Sequence, residues 1–178
     1  VQQEIDRVVP VIEALAVRTE AVLSVDASKP EVIAAALGAG AHLVNDIRAL
    51  RMPGALAAAA AQDAAVCVMH MQGKPATMQA DPRYADVVAE VREFLRARAS
   101  ACREAGIAGD SICIDPGIGF GKTYQHNVEL LRHQRAFTDL GYPLLIGVSR
   151  KALIGIMTGR PARERVVGSA VAAAFAVQ

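Results

Sequence analysis

Five short runs of this chain are almost continuously apolar: Ala21 to Asp26, His42 to Ile47, Ala64 to Met71, Ser111 to Gly117 and Pro143 to Ser149. A strand with one wet face alternates apolar and polar residues. Runs of Val, Ile, Leu, Cys and Ala that lack this alternation belong to strands covered on both faces. The segments between them have helical character. Pro30 to Leu37 follows an Asp-Ala-Ser-Lys turn, and Pro53 to Gln62 opens on Pro-Gly and is rich in Ala. Tyr84 to Ala105 and His126 to Leu140 carry apolar residues at helical spacing with charges between them. An amphipathic helix over Gln3 to Val17 precedes the first strand, and an Ala/Val-rich helix over Arg163 to Val177 follows the last, giving the expected order α(βα)5.

Alternating strands and helices require right-handed crossovers and a parallel sheet, either doubly wound and open or closed into a (β/α)8 barrel. The polar residues favour the barrel. Asp26, Asn45 with Asp46, His70, Asp115 and Ser149-Arg150-Lys151 all fall at C-terminal strand ends. In a barrel those ends converge on one mouth; in an open sheet they form a row, and only those beside a switch point share a ligand. The fold class is therefore α/β, a partial TIM (β/α)8 barrel with about five parallel strands, read as one domain over residues 1–178. A closed barrel takes eight strands and roughly 200 to 250 residues. The chain is accordingly expected to be a central portion lacking barrel strands at both ends.

Composition narrows the partners. With 53% hydrophobic and 21% charged residues the chain can bury a substantial core. A formal net charge of +1 offers no bulk attraction to nucleic acid or to an anionic membrane surface. No apolar run approaches the roughly 20 residues of a membrane-spanning helix, and Val1-Gln2-Gln3-Glu4 does not open a leader, so a cytoplasmic location is expected. Cys67, Cys102 and Cys113 are odd in number and widely spaced, which fits buried reduced thiols. His42, His70, His126 and His133 lack zinc-ligand spacing, and no metal ligands are expected within the chain.

The sharpest local motif is Asp115-Pro116-Gly117-Ile118-Gly119-Phe120-Gly121-Lys122-Thr123. Its end matches a phosphate-binding P-loop, but Pro116 stands where that loop needs a permissive glycine with a free N–H. The better reading is a strand-end carboxylate followed by a glycine loop that lets backbone pass close to a ligand. Ser149-Arg150-Lys151 is the second motif: Lys151 either forms a Schiff base or serves as a cationic hydrogen-bond donor. Asp26, Asn45 and Asp115 suit a nitrogen-rich heterocycle, since two carboxylates accept from ring N–H and amino groups while an amide both donates and accepts. Asp46 points the opposite way along its strand and is structural. His70 is read as a packed, hydrogen-bonded histidine, and Met69 as an apolar wall for a flat ring.

Ser24-Val25-Asp26-Ala27-Ser28-Lys29-Pro30, Val44-Asn45-Asp46-Ile47, Met69-His70-Met71-Gln72-Gly73, Asp115 through Lys122, and Gly147-Val148-Ser149-Arg150-Lys151 together resemble the ordered motifs of the dihydropteroate synthase family. The resemblance spans essentially the whole chain. It implies a (β/α)8 enzyme of folate biosynthesis that joins 4-aminobenzoate to 6-hydroxymethyl-7,8-dihydropterin diphosphate with Mg2+ assisting, is inhibited by sulfonamides, and forms a homodimer. Carried over residue by residue, it implies that Asp26, Asn45 and Asp115 hold the pterin, and that Ile47 and Met69 line its slot. Phe120, Gly147 and Ser149 would lie near the aminobenzoate, with Lys151 as the catalytic residue contacting both substrates. Ala27 departs from the family's usual Thr. The family's Asn-x-Thr/Ser-Pro-Asp-Ser, Ser-Thr-Arg-Pro and Arg-x-His segments are absent, so the chain is expected to carry the pterin subsite without a complete active site. A methyltetrahydrofolate-type methyltransferase domain and a noncatalytic pterin-binding paralogue are the alternatives.

Overall fold

A computed structural model describes residues 1–177, which divide into two compact units: Val1–Met69 with Leu95–Ile114, and His70–Phe94 with residues 115–177. The first unit contains the sheet. Strands β1 (Ser24–Asp26), β2 (Leu43–Asp46), β3 (Ala65–Met69) and β4 (Ile112–Asp115) lie in the order β1-β2-β3-β4. The pairings β1–β2 and β2–β3 are parallel, with Val25 beside Val44 and Val44 beside Val66. Val25, Val44, Val66, Val68, Ile112 and Ile114 are all buried, as the lack of alternation required. Each such burial contributes about 1.5–3 kcal/mol.

Helices α1 (Gln2–Ala16), α2 (Pro30–Gly38) and α3 (Ala55–Ala60) complete this unit with the second half of α4 (Val87–Glu104). Pro30 begins α2, where its missing N–H costs nothing and its fixed φ favours the first turn. The helix packs between α1 and α3 and buries Val32, Ile33, Ala36 and Leu37. On α4, Leu95, Ala99 and Cys102 recur at helical spacing and are fully buried.

The turn after β2 holds Ala49 and Leu50 at φ 53° and 55°, a conformation that costs an L-residue roughly 1–2 kcal/mol. Asp46 compensates. Its fully buried carboxylate accepts from the Arg48 and Leu50 N–H groups at 2.9 and 2.7 Å and from the Ser28 hydroxyl at 2.5 Å. Arg98 adds an Nε–H bond to the Ala49 carbonyl at 2.9 Å. Asp46 is structural, as read from the sequence.

The second unit contains the glycine loop after β4, then α5 (Tyr124–Arg132), α6 (Arg135–Thr138), α7 (Ala152–Thr158) and α8 (Val166–Ala176). Thr123 and His126 form a reciprocal capping box at the start of α5, both bonds at 3.2 Å. Where α7 and α8 pack, a Cβ on Gly168 would sit 2.6 Å from Ile154, so glycine is needed for the close approach.

Three expectations require correction. The run Pro143 to Ser149 is not a strand: only Leu144 forms a bridge, so the run lacks the successive ladder pairings that make a strand. The sheet thus has four strands among the described residues. The expected helix over His126 to Leu140 is two, separated at His133, which leaves helical geometry with φ −108° and ψ 31°. Residues 152–158, not anticipated as helical, form α7, which ends at Gly159 in the left-handed region.

Candidate functional site

In the first unit the candidate residues stand at parallel strand ends. Asp26 closes β1 beside Asn45 in register, and the Ala27 N–H extends that pairing to the Asn45 carbonyl at 3.2 Å. Asp26 is exposed; partial desolvation and the negative charge of Asp46 hold its carboxyl above the usual value. Asn45 is half-buried, Ile47 follows β2, and Met69 closes β3 at 4% exposure. Ala27 is itself buried, so its methyl occupies packed space.

In the second unit the glycine loop is fixed by side chains from several segments. Asp115 is buried, and its Oδ1 accepts from the Gly117 N–H at 2.7 Å. Burial raises its pKa, opposed by that hydrogen bond and by the charges of Lys151 and Lys122. Asn127 accepts from the Gly119 N–H at 2.7 Å, Gln79 donates to the Gly119 carbonyl at 2.5 Å, and the Tyr84 hydroxyl donates to the Gly121 carbonyl at 2.8 Å. Gly121, at φ +63°, lies so close to Gln72 that a Cβ would come within 2.5 Å of its carbonyl oxygen.

Lys151 reaches this loop from the N-cap of α7. Its Nζ donates to the Ile118 carbonyl and lies 4.8 Å from the centre of the Phe120 ring, a cation–π arrangement. Burial lowers its pKa, while Asp115 opposes that shift. Gly147 stays bare beside it: a Cβ there would approach Nζ to 3.4 Å. Ser149 is exposed and Phe120 half-buried. Arg150, at φ 53°, donates its N–H to the Ser169 hydroxyl at 2.8 Å. Arg165 donates through Nη1 to the carbonyls of Arg150 and Lys151 at 3.1 and 3.3 Å, fixing the turn that presents Lys151.

The second unit thus brings together Asp115, Phe120, Gly147 and Lys151, and the first unit brings together Asp26 and Asn45. Lys122 was not anticipated as a site residue. It is 3% exposed, and its Nζ lies 2.9 Å from His70 Nδ1, 3.3 Å from the His70 carbonyl and 3.0 Å from the Phe120 carbonyl. Its place in Gly121-Lys122-Thr123 was the available signal, but that triplet points to phosphate, and burial is not written in it. Among the described residues no group of three or more His, Cys, Asp or Glu side chains is placed to hold a metal ion. No helix is long and apolar enough to cross a membrane among the same residues.

Residues 1–178 match the family model for pterin binding enzymes. The chain is 48% identical over 177 residues to the dihydropteroate synthase of Haemophilus influenzae, covering 99% of this chain and 64% of that protein. The Yersinia pestis dihydropteroate synthase in its sulfonamide drug complex superposes with a TM-score of 0.96 at 48% identity, covering 99% of this chain and 64% of that one. The Xanthomonas albilineans dihydropteroate synthase in complex with 7,8-dihydropteroate gives a TM-score of 0.91 at 49% identity, over 98% of this chain and 64% of its own. The chain therefore spans 64% of the length of these synthases. They are (β/α)8 barrels, and the four-stranded α/β fold seen here is part of such a barrel. The chain belongs to the pterin binding enzyme family, and the relatives it resembles there are dihydropteroate synthases.

Proposed function

We propose that this chain is the pterin-binding portion of a dihydropteroate synthase, which condenses 6-hydroxymethyl-7,8-dihydropterin diphosphate with 4-aminobenzoate. The observation carrying this reading is the 49% identity to a synthase in complex with 7,8-dihydropteroate, the product of that condensation. In the reaction the bond from the pterin methylene to the diphosphate oxygen breaks, the arylamine nitrogen bonds to that carbon, and the amine gives up a proton. No protein nucleophile is required. Lys151 acts as a cationic donor, which fits an Nζ already engaged with the Ile118 carbonyl and the Phe120 ring.

Asp26, Asn45 and Asp115 are assigned to the pterin. A carboxylate such as Asp115, held by one backbone N–H, retains acceptor capacity for ring N–H and amino donors. Ile47 and Met69 line the ring, and Phe120, Gly147 and Ser149 face the aminobenzoate, where a sulfonamide would compete. Mg2+ is assigned to the reaction, but the described residues offer no cluster that fits it, so no step is drawn through it here. A cytoplasmic homodimer completes the reading.

Calorimetric titration of the intact protein separates this function from its nearest rival. The diphosphate-bearing pterin is expected to bind and Lys151→Met to weaken it by about tenfold, in line with loss of a charged hydrogen bond. Preference for methyltetrahydrofolate would instead support a methyltransferase domain and contradict the proposal.

A further inference from the structure

Between them, two lysines hold the loop that carries Phe120. Lys151 donates to the Ile118 carbonyl, and Lys122 donates to the carbonyl of Phe120 itself at 3.0 Å. Only the first has a role in the reaction as proposed. Lys122 bonds on its other side to His70, at Nδ1 and at the carbonyl, so one ammonium joins the Phe120 peptide to the residue that follows β3. His70 is in turn packed edge-on against Phe94 at 4.9 Å and beside Tyr84 at 6.0 Å. A buried lysine that only filled space would be replaced at no loss by an apolar residue of similar length, because burying a cation opposes folding.

Resting on the synthase reading above, we infer that Lys122 is a positioning residue: by joining the Phe120 carbonyl to His70 it sets the place of the Phe120 ring for the arylamine substrate. An ammonium supplies three N–H donors for its three acceptors, the Phe120 and His70 carbonyls and His70 Nδ1. Deprotonation leaves two N–H donors and a lone pair, so Lys122 then reaches His70 Nδ1 only by accepting from its N–H tautomer, and the charge-assisted bonds to the two carbonyls become weaker neutral ones. Burial, with the positive charge of Lys151, lowers the Lys122 pKa to about 7, while Asp115 opposes that shift. The titratable groups around it are Asp115 at the end of β4, Lys151 at the start of α7 and His70 after β3; Tyr84 and His126, in edge contact at 4.9 Å, lie next along the network. Aminobenzoate binding should therefore weaken as pH rises through neutrality.

The test compares the intact protein with its Lys122→Met variant across that pH range, reading the arylamine KM, kcat and the thermal midpoint. The expected result is a KM raised about tenfold with a smaller change in kcat, as for loss of a charge-assisted hydrogen bond. The pH limb near neutrality should disappear, and the thermal midpoint should rise. A residue with a structural role alone would lower the midpoint and leave the pH profile unchanged; that pattern, or an unchanged KM, overturns the inference. If the variant does not fold, 15N resonances of the Lys122 ammonium in the unsubstituted protein decide it. Titration near neutrality, displaced by 4-aminobenzoate, supports the role, and ordinary lysine titration indifferent to that ligand overturns it. Absence of any pterin or aminobenzoate binding by the unsubstituted protein would instead overturn the functional reading, and this inference with it.

Discussion

Lys122 couples stability to pH in a defined direction. Its pKa in the fold is about 7 against an ordinary 10.5. Between those values the unfolded chain binds a proton that the folded chain does not, so raising the pH stabilises the fold. Below about 7 both states are charged and the burial penalty, on the order of 5 kcal/mol, is present in full. Lys151 is displaced in the same direction, and its contribution adds to the slope. Urea unfolding from neutral pH upward should show stability rising in the unsubstituted protein and a flatter dependence in Lys122→Met; equal slopes would contradict the assignment. Asp46 has the opposite character, a buried carboxylate with three donors and an unusual turn depending on it. Asp46→Ala should destabilise the chain by about 3 kcal/mol, since it leaves the buried Leu50 N–H and the half-buried Arg48 N–H without their partner; a loss below about 1 kcal/mol in urea unfolding would show that the turn holds without it.

The elements most legible in the sequence are those whose neighbours agree with their local pattern. β1 to β4 each lie inside an expected apolar run, and α2 begins at the predicted Pro30. The run from Pro143 has the composition of a strand, but a strand exists only through its hydrogen-bond partners, and composition does not record them. The site was legible in the same uneven way. Asp115 announces itself at a strand end, Phe120 within a glycine loop, and Lys151, although it caps a helix and follows no strand, in the Ser149-Arg150-Lys151 motif. Lys122 and Arg165 do not, because their roles lie in contacts with carbonyls far along the chain. The glycine loop makes its own prediction. Gly121→Ala places a methyl against the Gln72 carbonyl at a φ disfavoured for alanine, so the loop must shift. The expected outcome is pterin-analogue affinity reduced at least about tenfold, consistent with a displacement costing more than about 1.4 kcal/mol, while Gly109→Ala, with open space around its Cβ and no left-handed φ, leaves affinity unchanged. Equal effects from both substitutions would refute a specific role for the close approach.

For the whole molecule, fold and family rest on agreement between independent lines: an α/β order read from apolar runs, a parallel sheet, and a match along residues 1–178 to pterin binding enzymes. The chain spans 64% of the Haemophilus influenzae synthase, so the proposed reaction is assayed on the intact protein. The proposed homodimer predicts a sedimentation mass of twice the protomer for the intact protein; a monomer at assay concentration would remove that part of the account. The most direct test is to incubate the intact protein with 6-hydroxymethyl-7,8-dihydropterin diphosphate and 4-aminobenzoate, and to measure dihydropteroate and diphosphate together. The account predicts equimolar formation of both, dependent on each substrate, suppressed by a sulfonamide and abolished in Asp115→Ala. Pterin binding without diphosphate release, or release indifferent to 4-aminobenzoate, would contradict it.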